Sequence, residues 1–384
     1  MRGHIVKRGK NSYTVVLNTG KDPATGKRNQ QWVSVKGNKR EAERRLSEML
    51  HQIDTGSFMR PGKTTVADFL ERWIEDRRPD LSPRAYERYR EVIGKHLIPN
   101  LGSMTLTQLK PEHLQRLYTA MQNSGLSAWT VKYVHGLIHV ALKTALEWGL
   151  IVRNPADAVK PPKIHRKEMQ TWDDPEISRF LETAKGNPHY ALFYTVLFTG
   201  MRRSELLGLK WSDVDLVQMQ ISVCRGLHRL KDRSYVFTEP KSAKSRRTIA
   251  LPPSVALLLK GHQEKQRLDR VMLGIAWSNN DLVFGTLEGK PRFPDTITKA
   301  WQRVAAEAGV KVIRFHDARH THASIMLKQG IHPKIVQERL GHASIEMTLD
   351  IYSHVTPGLQ KAAAARFDDL IMPKRENQAV AEVG

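Results

Sequence analysis

Residues 64–160 constrain the fold most, because helix start signals follow one another there with no strand-like segment between them. Thr65 and Asp68 have the spacing of a capping box, Ser82-Pro83 and Ser127 are further starts, and Gly149 is a stop signal. After each start, apolar side chains recur every three or four residues, which places them on one face of a helix. This part of the chain is therefore predicted to be an all-helical domain.

In residues 1–58, apolar and polar side chains first alternate, which is the pattern of a strand and not of a helix. Tyr13, Val15 and Leu17 alternate with more polar neighbours, and Trp32–Val35 is a second segment of strand type. A helix is expected from about Asn38, with Gly56 as its stop. These residues are predicted to form a small β-sheet with one helix.

Residues 168–372 mix the two patterns. Ala191–Phe198 is a dense apolar run that should form a buried helix ended by Gly200, and further helices are expected from about residues 253, 294, 316 and 332. Three short segments are predicted to form an antiparallel meander: Ile221–Val223, Tyr235–Phe237 and Thr248–Leu251. This domain is thus predicted to be mixed and mainly helical, with a small antiparallel sheet.

The chain as a whole is predicted to be a multidomain α+β protein. Its domains are expected at 1–58, 64–160 and 168–372, with a basic, proline-rich linker after Asn154 and a flexible tail at 373–384.

The charge balance indicates a polyanionic partner. The 384 residues include 61 Lys and Arg against 39 Asp and Glu, a net charge of +22, which favours nucleic acid. The single cysteine, Cys224, excludes an intramolecular disulfide. With no long apolar run and no signal-peptide pattern, we expect a cytoplasmic protein without membrane contact. Charge alone does not separate a DNA enzyme from a DNA-binding regulator.

Two basic segments are candidates for chemistry. Arg202 follows the end of an apolar helix at Thr199-Gly200, where it could serve a site or form a local ion pair with Glu205. Pro240–Arg247 places four positive charges in a tight turn between two predicted strands. Such a turn could contact phosphates or be an exposed basic tip.

Two later segments add histidines and a tyrosine. His316 and Arg319 are three residues apart, hence on one helix face. His316 and His320 have the spacing of half a zinc site, but no Glu follows His316 and no Cys lies nearby, so no metal site is predicted. Leu340-Gly341-His342 precedes Tyr352, which could otherwise be a core residue of a helix–turn–helix fragment.

Taken together, these segments resemble the tyrosine recombinase (phage integrase) family. That family has an Arg after a Thr-Gly-hydrophobic turn, a Lys in a β-hairpin, a His-x-x-Arg box, a Gly-His and a nucleophilic Tyr. The positions that match are Arg202, Lys241, His316, Arg319, His342 and Tyr352. Lys244, three residues after Lys241, is an alternative for the lysine. The resemblance covers the whole chain: 1–58 is similar to an arm-type DNA-binding domain, 64–160 to the SAM-like core-binding domain and 168–372 to the catalytic domain.

The resemblance implies a site-specific recombinase that integrates or excises a mobile element through a 3′-phosphotyrosine. Tyr352 would attack a scissile phosphodiester, and because a free tyrosine has a pKa of about 10 it needs positive charge and a proton acceptor nearby. His316 would be that acceptor or an orienting group, and Lys241 would protonate the leaving oxygen. Arg202, Arg319 and His342 would bind the non-bridging oxygens. No metal or other cofactor is implied.

The expected partners follow from the same resemblance. They are double-stranded DNA attachment sites, three further copies of the chain in a tetramer on paired sites, a small excisionase and a host DNA-bending protein, in a bacterial, nucleoid-associated location. The residues expected to contact DNA are basic: Lys27, Arg28, Lys163, Arg166, Lys244 and Arg246. Two alternatives are a type IB topoisomerase-like enzyme and a non-catalytic helix–turn–helix regulator.

Overall fold

The computed structural model describes residues 3–21, 28–54, 63–164, 169–239, 246–274, 280–355 and 367. The chain divides into two compact units, residues 1–166 and 167–384. The α+β class is confirmed, whereas the finer division into 1–58, 64–160 and 168–372 stays a prediction. The tail at 373–384 and Gly56 lie outside the described residues.

The N-terminal segment forms an antiparallel sheet of order β1-β2-β3 with one helix. The elements are β1 (Gly3–Gly9), β2 (Ser12–Lys21), β3 (Arg28–Lys36) and α1 (Lys39–Asp54). Asn38 starts α1 as predicted, since its Oδ1 accepts from the Glu41 N–H at 2.9 Å. Strand β1 was not predicted, because an edge strand that is partly exposed needs few apolar residues and β1 has only two adjacent ones.

In the described part of the first unit five α-helices follow α1: α2 (Val66–Asp76), α3 (Pro83–Val92), α4 (Ile98–Leu101), α5 (Pro111–Asn123) and α6 (Ala128–Glu147). The predicted starts at Thr65, Ser82 and Ser127 are confirmed, because each side chain accepts a hydrogen bond from a backbone N–H of the first helical turn. The apolar faces meet in one core in which Trp73 and Tyr118 are buried.

The second unit is a helical core with short strands at its side. Its helices are α7 (Asp174–Ala184), α8 (Tyr190–Thr199), α9 (Arg203–Leu207), α10 (Pro253–Leu273), α11 (Pro294–Glu307), α12 (Asp317–Lys328), α13 (Pro333–Leu340) and α14 (Glu346–Val355). Four aromatic rings, those of Trp172, Phe180, Phe193 and Trp301, pack on one another in the core. They fix the position of α8, whose C-terminal end belongs to the candidate site.

The predicted meander is wrong, because the strands belong to two sheets. The strands are β4 (Val214–Asp215), β5 (Gln220–Val223), β6 (Gly226–Arg229), β7 (Tyr235–Thr238) and β8 (Arg247–Ala250). One sheet has the order β4-β5-β8, and β6 pairs with β7. Strand β6 has only one apolar residue, Leu227, so no alternating pattern indicated the partner of β7. Strands β7 and β8 therefore belong to different sheets, and the tight turn predicted between them lies largely outside the described residues, at 240–245.

Within the ranges that the model describes, none of the helices combines the length and the apolar character that crossing a membrane requires.

Candidate active site

Three successive carbonyl groups at the C-terminal end of α13 each accept a hydrogen bond from a different arginine. The Arg339 carbonyl accepts from Arg247 Nε at 2.7 Å, the Leu340 carbonyl from Arg319 Nη2 at 2.5 Å and the Gly341 carbonyl from Arg202 Nη2 at 2.9 Å. The last carbonyls of a helix have no intrahelical donor and carry partial negative charge. The end of α13 therefore holds three guanidinium groups side by side.

Arg319 is the most buried of these arginines, with 2% of its surface exposed. Its Nη1 donates to the carbonyl of Gly200, the C-cap of α8, at 2.8 Å. Both of these acceptors are neutral carbonyls, so they do not cancel the charge. Burial, together with the positive charge of Arg202, lowers the pKa of Arg319 to about 9. The environment is thus unfavourable to an uncompensated cation and would favour an anion beside it.

Glu205 links Arg202 to Arg247. Its Oε1 accepts from Arg202 Nη1 at 2.6 Å, and its Oε2 accepts from Arg247 Nη2 at 2.8 Å and from the backbone N–H of Arg202 at 2.9 Å. Burial would raise the pKa of Glu205, but Arg247 and Arg202 outweigh it and hold that pKa below its ordinary value. The local ion pair with Glu205, one of the two alternatives given for Arg202, is present. Because one carboxylate serves two arginines, the cluster of Arg202, Arg247 and Arg319 keeps a positive excess.

The predicted histidines lie around this arginine cluster in their neutral forms. His316 is the N-cap of α12, and burial, with positive charge from His320 and Arg319, lowers its pKa to about 4. Burial and the charges of Arg319 and Arg202 lower the pKa of His342 to about 3. The rings of His316 and His320 are perpendicular, with centroids 5.1 Å apart. In the described part of the chain, no three His, Cys, Asp or Glu side chains form a group that could hold a metal ion.

The helix that contains Tyr352 is connected to the site through His342. His342 Nδ1 and Thr348 Oγ1, in the first part of α14, share a hydrogen bond of 2.8 Å. The backbone of Tyr352 belongs to α14, but its side chain lies outside the described residues, as do Lys241 and Lys244. The structure thus brings together Arg202, His316, Arg319 and His342.

The residues predicted to contact DNA are only partly described. Arg246 is exposed and its Nη2 donates to Glu239 Oε2 at 2.5 Å, and Lys163 is exposed. The backbone of Arg28 begins β3, whereas its side chain, Lys27, Arg166 and Lys244 lie outside the described residues.

Arg247 was predicted only as one of four cations in a basic turn, and no role was predicted for Arg339. A signal for Arg247 was available, because alternation along β8 places position 247 on the same face as the buried Ile249. An arginine on the inner face of a strand needs buried partners, and Glu205 supplies them. Arg339 lies on a short helix whose pattern gave no comparable signal.

Comparison with known proteins gives a consistent result. Residues 171–358 match the family model described as Phage integrase family, and residues 65–122 match that described as Phage integrase, N-terminal SAM-like domain. The chain is 30% identical to a protein named Tyrosine recombinase XerC-like from Caldanaerobacter subterraneus subsp. tengcongensis, over 96% of this chain and 99% of the relative. It is 27% identical to the ICEBs1 integrase of Bacillus subtilis, over 96% of this chain and 100% of the relative.

Solved structures share the fold at lower identity. A Tn1549 transposon integrase in complex with transposon right end DNA has a TM-score of 0.68 and 22% identity, covering 79% of this chain and 99% of that chain. A lambda integrase tetramer bound to a Holliday junction has a TM-score of 0.57 and 18% identity, covering 90% of this chain and 94% of that chain.

Proposed function

This chain belongs to the phage integrase family of tyrosine recombinases and is a site-specific DNA recombinase, and we propose that it cuts and rejoins DNA at the arginine cluster beside α13. The observation that carries the proposal is the positive excess of that cluster: Glu205 pairs with Arg202 and Arg247, whereas Arg319 donates to neutral carbonyls. A phosphodiester that enters the site would supply the missing negative charge.

Arg202 and Arg319 are proposed to bind the non-bridging oxygens of the scissile phosphate. A guanidinium has five N–H groups. Arg202 gives two of its side-chain N–H groups to Glu205 and Gly341, and Arg319 gives two to Gly200 and Leu340. Each therefore has donors left for a phosphate while its plane is fixed by protein acceptors. Such fixed donors stabilise the charge that develops in a phosphoryl transition state.

Tyr352 is proposed as the nucleophile. Position 352 is one helical turn after Thr348, which is hydrogen-bonded to His342. The Tyr352 oxygen would form a bond to the scissile phosphorus as the bond from phosphorus to the 5′-oxygen breaks, leaving a 3′-phosphotyrosine and a free 5′-hydroxyl. Attack by a 5′-hydroxyl of the partner DNA reverses the chemistry, so no nucleotide triphosphate is consumed.

Two proton transfers accompany this exchange. His316 is neutral near pH 7 because its pKa is lowered to about 4, so it can accept the tyrosine proton. Bound phosphate would raise the pKa of His316 and make it a better base. Lys241, or alternatively Lys244, would give a proton to the leaving 5′-oxygen. His342 uses Nδ1 toward Thr348, which leaves Nε2 as the atom to meet the phosphate.

The other parts of the chain are proposed to select and pair the DNA sites. Residues 64–160 and 168–372 would hold the crossover site, with Lys163, Arg166 and Arg246 among the phosphate contacts, while residues 1–58 would bind separate arm sites with Lys27 and Arg28. The tetramer in the lambda integrase structure supports a tetramer of this chain on paired sites. An excisionase and a host DNA-bending protein would set direction in the bacterial nucleoid.

Covalent capture tests the proposal. Wild-type protein, Tyr352→Phe and the control Tyr190→Phe, altered at the far end of α8, are incubated with nicked fragments spanning the ends of the element that carries the gene. We expect a protein–DNA adduct with wild type and Tyr190→Phe only, and binding with all three. An adduct with Tyr352→Phe would mean that another residue is the nucleophile. Binding without any adduct would favour the regulator, and relaxation of supercoiled DNA without site pairing would favour the topoisomerase.

A further inference from the structure

We propose that Arg339 is a positioning residue for recombination. It fixes the end of α13, and the carbonyls there then hold Arg202, Arg247 and Arg319 in place. Its side chain donates to three elements: Nε to His322 Nε2 on α12 at 3.1 Å, Nη1 to the Ala250 carbonyl at the end of β8 at 2.9 Å, and Nη2 to the Phe198 carbonyl on α8 at 3.0 Å. The carbonyl of the same residue is the first of the three that hold arginines.

These bonds require His322 to be neutral, with its proton on Nδ1. Arg339 can only donate, so His322 Nε2 must accept, and Nδ1 must then carry the proton that is donated to the Leu197 carbonyl at 2.9 Å. Burial and the charge of Arg339 lower the pKa of His322 to about 4, which keeps this form at neutral pH. At the C-terminal end of α8, the Leu197 carbonyl thus accepts from His322 and the Phe198 carbonyl from Arg339. The carbonyl of its C-cap, Gly200, accepts from Arg319.

The three bonds of Arg339 set the position of the next two carbonyls. Leu340 and Gly341 follow it directly, and their carbonyls orient Arg319 and Arg202. Ala250 is in the strand that begins with Arg247, so the bond to Ala250 ties that strand to the same helix end. Loss of Arg339 would leave these elements folded, since Arg319 and Arg202 keep their bonds to Gly200 and Glu205, but it would release the end of α13.

A lysine at 339 would keep the charge and lose the planar fork that reaches three separate acceptors. The inference rests on the proposed function, because the readout is cleavage at the scissile phosphate. We expect Arg339→Lys to slow single-turnover adduct formation on the order of 10- to 100-fold, as small displacements of catalytic groups do. The dissociation constant for DNA should stay within about twofold, because Arg339 does not contact DNA in this scheme.

Three comparisons separate positioning from general damage. The control Arg225→Lys weakens an ion pair with the buried Asp213 in the same unit, and it should lower the Tm without slowing cleavage at a temperature where the protein is folded. In the double variant Arg202→Lys/Arg339→Lys, the rate loss should be smaller than the product of the two single losses, because both act on one group. A phosphorothioate at the scissile phosphate should likewise slow Arg339→Lys less than wild type.

The outcomes are distinct. A wild-type rate for Arg339→Lys, a loss that only follows the unfolded fraction, or fully multiplicative losses in the double variant would overturn the role of Arg339. If Arg339→Lys does not fold, His322→Asn is used instead, because the shorter side chain can still donate to the Leu197 carbonyl but loses the Nε2 acceptor of Arg339. It must show the same slow cleavage with normal binding, and a wild-type rate there would overturn the role of Arg339. Failure of wild type to form any adduct would instead overturn the proposed function, and this inference with it.

Discussion

At the scale of the residue, Arg202 has to satisfy two requirements at once. It is held in the protein by Glu205 and by the Gly341 carbonyl, and in the proposed mechanism it must still offer N–H groups to a phosphate. A guanidinium meets both requirements because its five donors lie in a fixed plane, whereas the three donors of an ammonium rotate about one atom. The type of cation, and not only its charge, therefore matters at this position.

We accordingly predict that Arg202→Lys lowers the rate of adduct formation on the order of 10²- to 10³-fold, the usual effect of removing a donor to a transition-state oxygen. DNA affinity should change little because the charge is kept. The measurement pairs single-turnover cleavage of a nicked site with a binding titration. The control is Arg303→Lys, an exposed arginine near Glu307 on α11, which should cleave like wild type. Equal rates for Arg202→Lys and wild type would remove Arg202 from the proposed mechanism.

Some residues of the candidate site could be predicted from the sequence and others could not. The positions of Arg202, His316, Arg319 and His342 were predicted from motifs, and the structure places them together. Arg247 was passed over in favour of its neighbour Arg246, since a run of basic residues does not show which one points inward. That information depends on the pairing of β8 with β5, which is a long-range contact.

At the scale of the element, the site is built where two helices end at glycines with positive φ. Gly200 ends α8 with φ of +64° and Gly341 ends α13 with φ of +66°. At Gly200 a Cβ would lie 2.4 Å from Leu340 Cδ2 and 2.9 Å from His322 Cδ2. The close approach of these two helix ends, which allows Arg319 to reach the carbonyls of both Gly200 and Leu340, therefore needs a residue without a side chain.

Gly200→Ala and Gly309→Ala form a matched pair that tests this packing. Gly309 follows Ala308, the C-cap of α11, with φ of +61°, and a Cβ there would meet nothing within 4 Å. Both variants should lose about 1–2 kcal/mol from the left-handed backbone, and Gly200→Ala should lose about 1–3 kcal/mol more from overpacking. Urea denaturation measures the difference. Equal destabilisation by the two changes would show that the helix ends are not in tight contact.

The elements differ in how far the sequence predicts them. The helix starts at Thr65, Ser82 and Ser127 were predicted correctly because a cap is a local hydrogen bond between residues three apart. The strands β5, β7 and β8 were also recognised, but their assignment to one meander was wrong. Strand pairing depends on partners distant in sequence, and four-residue strands carry too little pattern to specify them.

At the scale of the whole molecule, buried neutral histidines make stability depend on pH. The pKa values of His316, His322 and His342 are lowered to about 4, 4 and 3, against about 6.5 in an unfolded chain. The unfolded state therefore binds more protons below pH 6.5, so stabilisation is complete above that pH and is lost as the pH falls toward 4. Each tenfold difference in proton affinity amounts to about 1.4 kcal/mol.

We predict that the free energy of unfolding of the second unit is lower at pH 5 than at pH 7.5, with little change above about pH 6.5 and an increasing loss below it. This free energy would be measured by urea denaturation at each pH, with hydrogen exchange of the amides in α8 and α12 as the probe of the second unit. His322→Asn should be less stable at pH 7.5 but show a shallower dependence on pH, because one buried titrating group is gone. Equal stability at the two pH values would mean that the histidines are not held neutral by burial.

The net charge of +22 is distributed so that even the small N-terminal sheet is strongly basic, with 13 Lys and Arg against 5 Asp and Glu in residues 1–60. Along β3 the residues Trp32, Ser34 and Lys36 are exposed, while Val15 and Leu17 on β2 pack with α1. The Arg8 guanidinium lies over the Trp32 ring, 5.7 Å from its centroid, and Trp32 is 54% exposed. An exposed aromatic ring covered by a cation on the face opposite α1 suits contact with a DNA backbone.

Salt dependence can separate the contributions of these two side chains. Arg8→Ala should reduce the slope of log affinity against log salt by about 1 at sites bound through the sheet, because one phosphate contact is lost. Trp32→Ala should weaken binding there without changing the slope, since it removes surface and no charge. Arg44→Ala, on the exposed side of α1, is the matched control and should change neither the affinity nor the slope.

Binding to the crossover fragment and adduct formation should be normal in all three variants. If Arg8→Ala instead weakened the crossover complex and left every other fragment unaffected, the sheet would belong to the core complex and the arm-site proposal would be wrong.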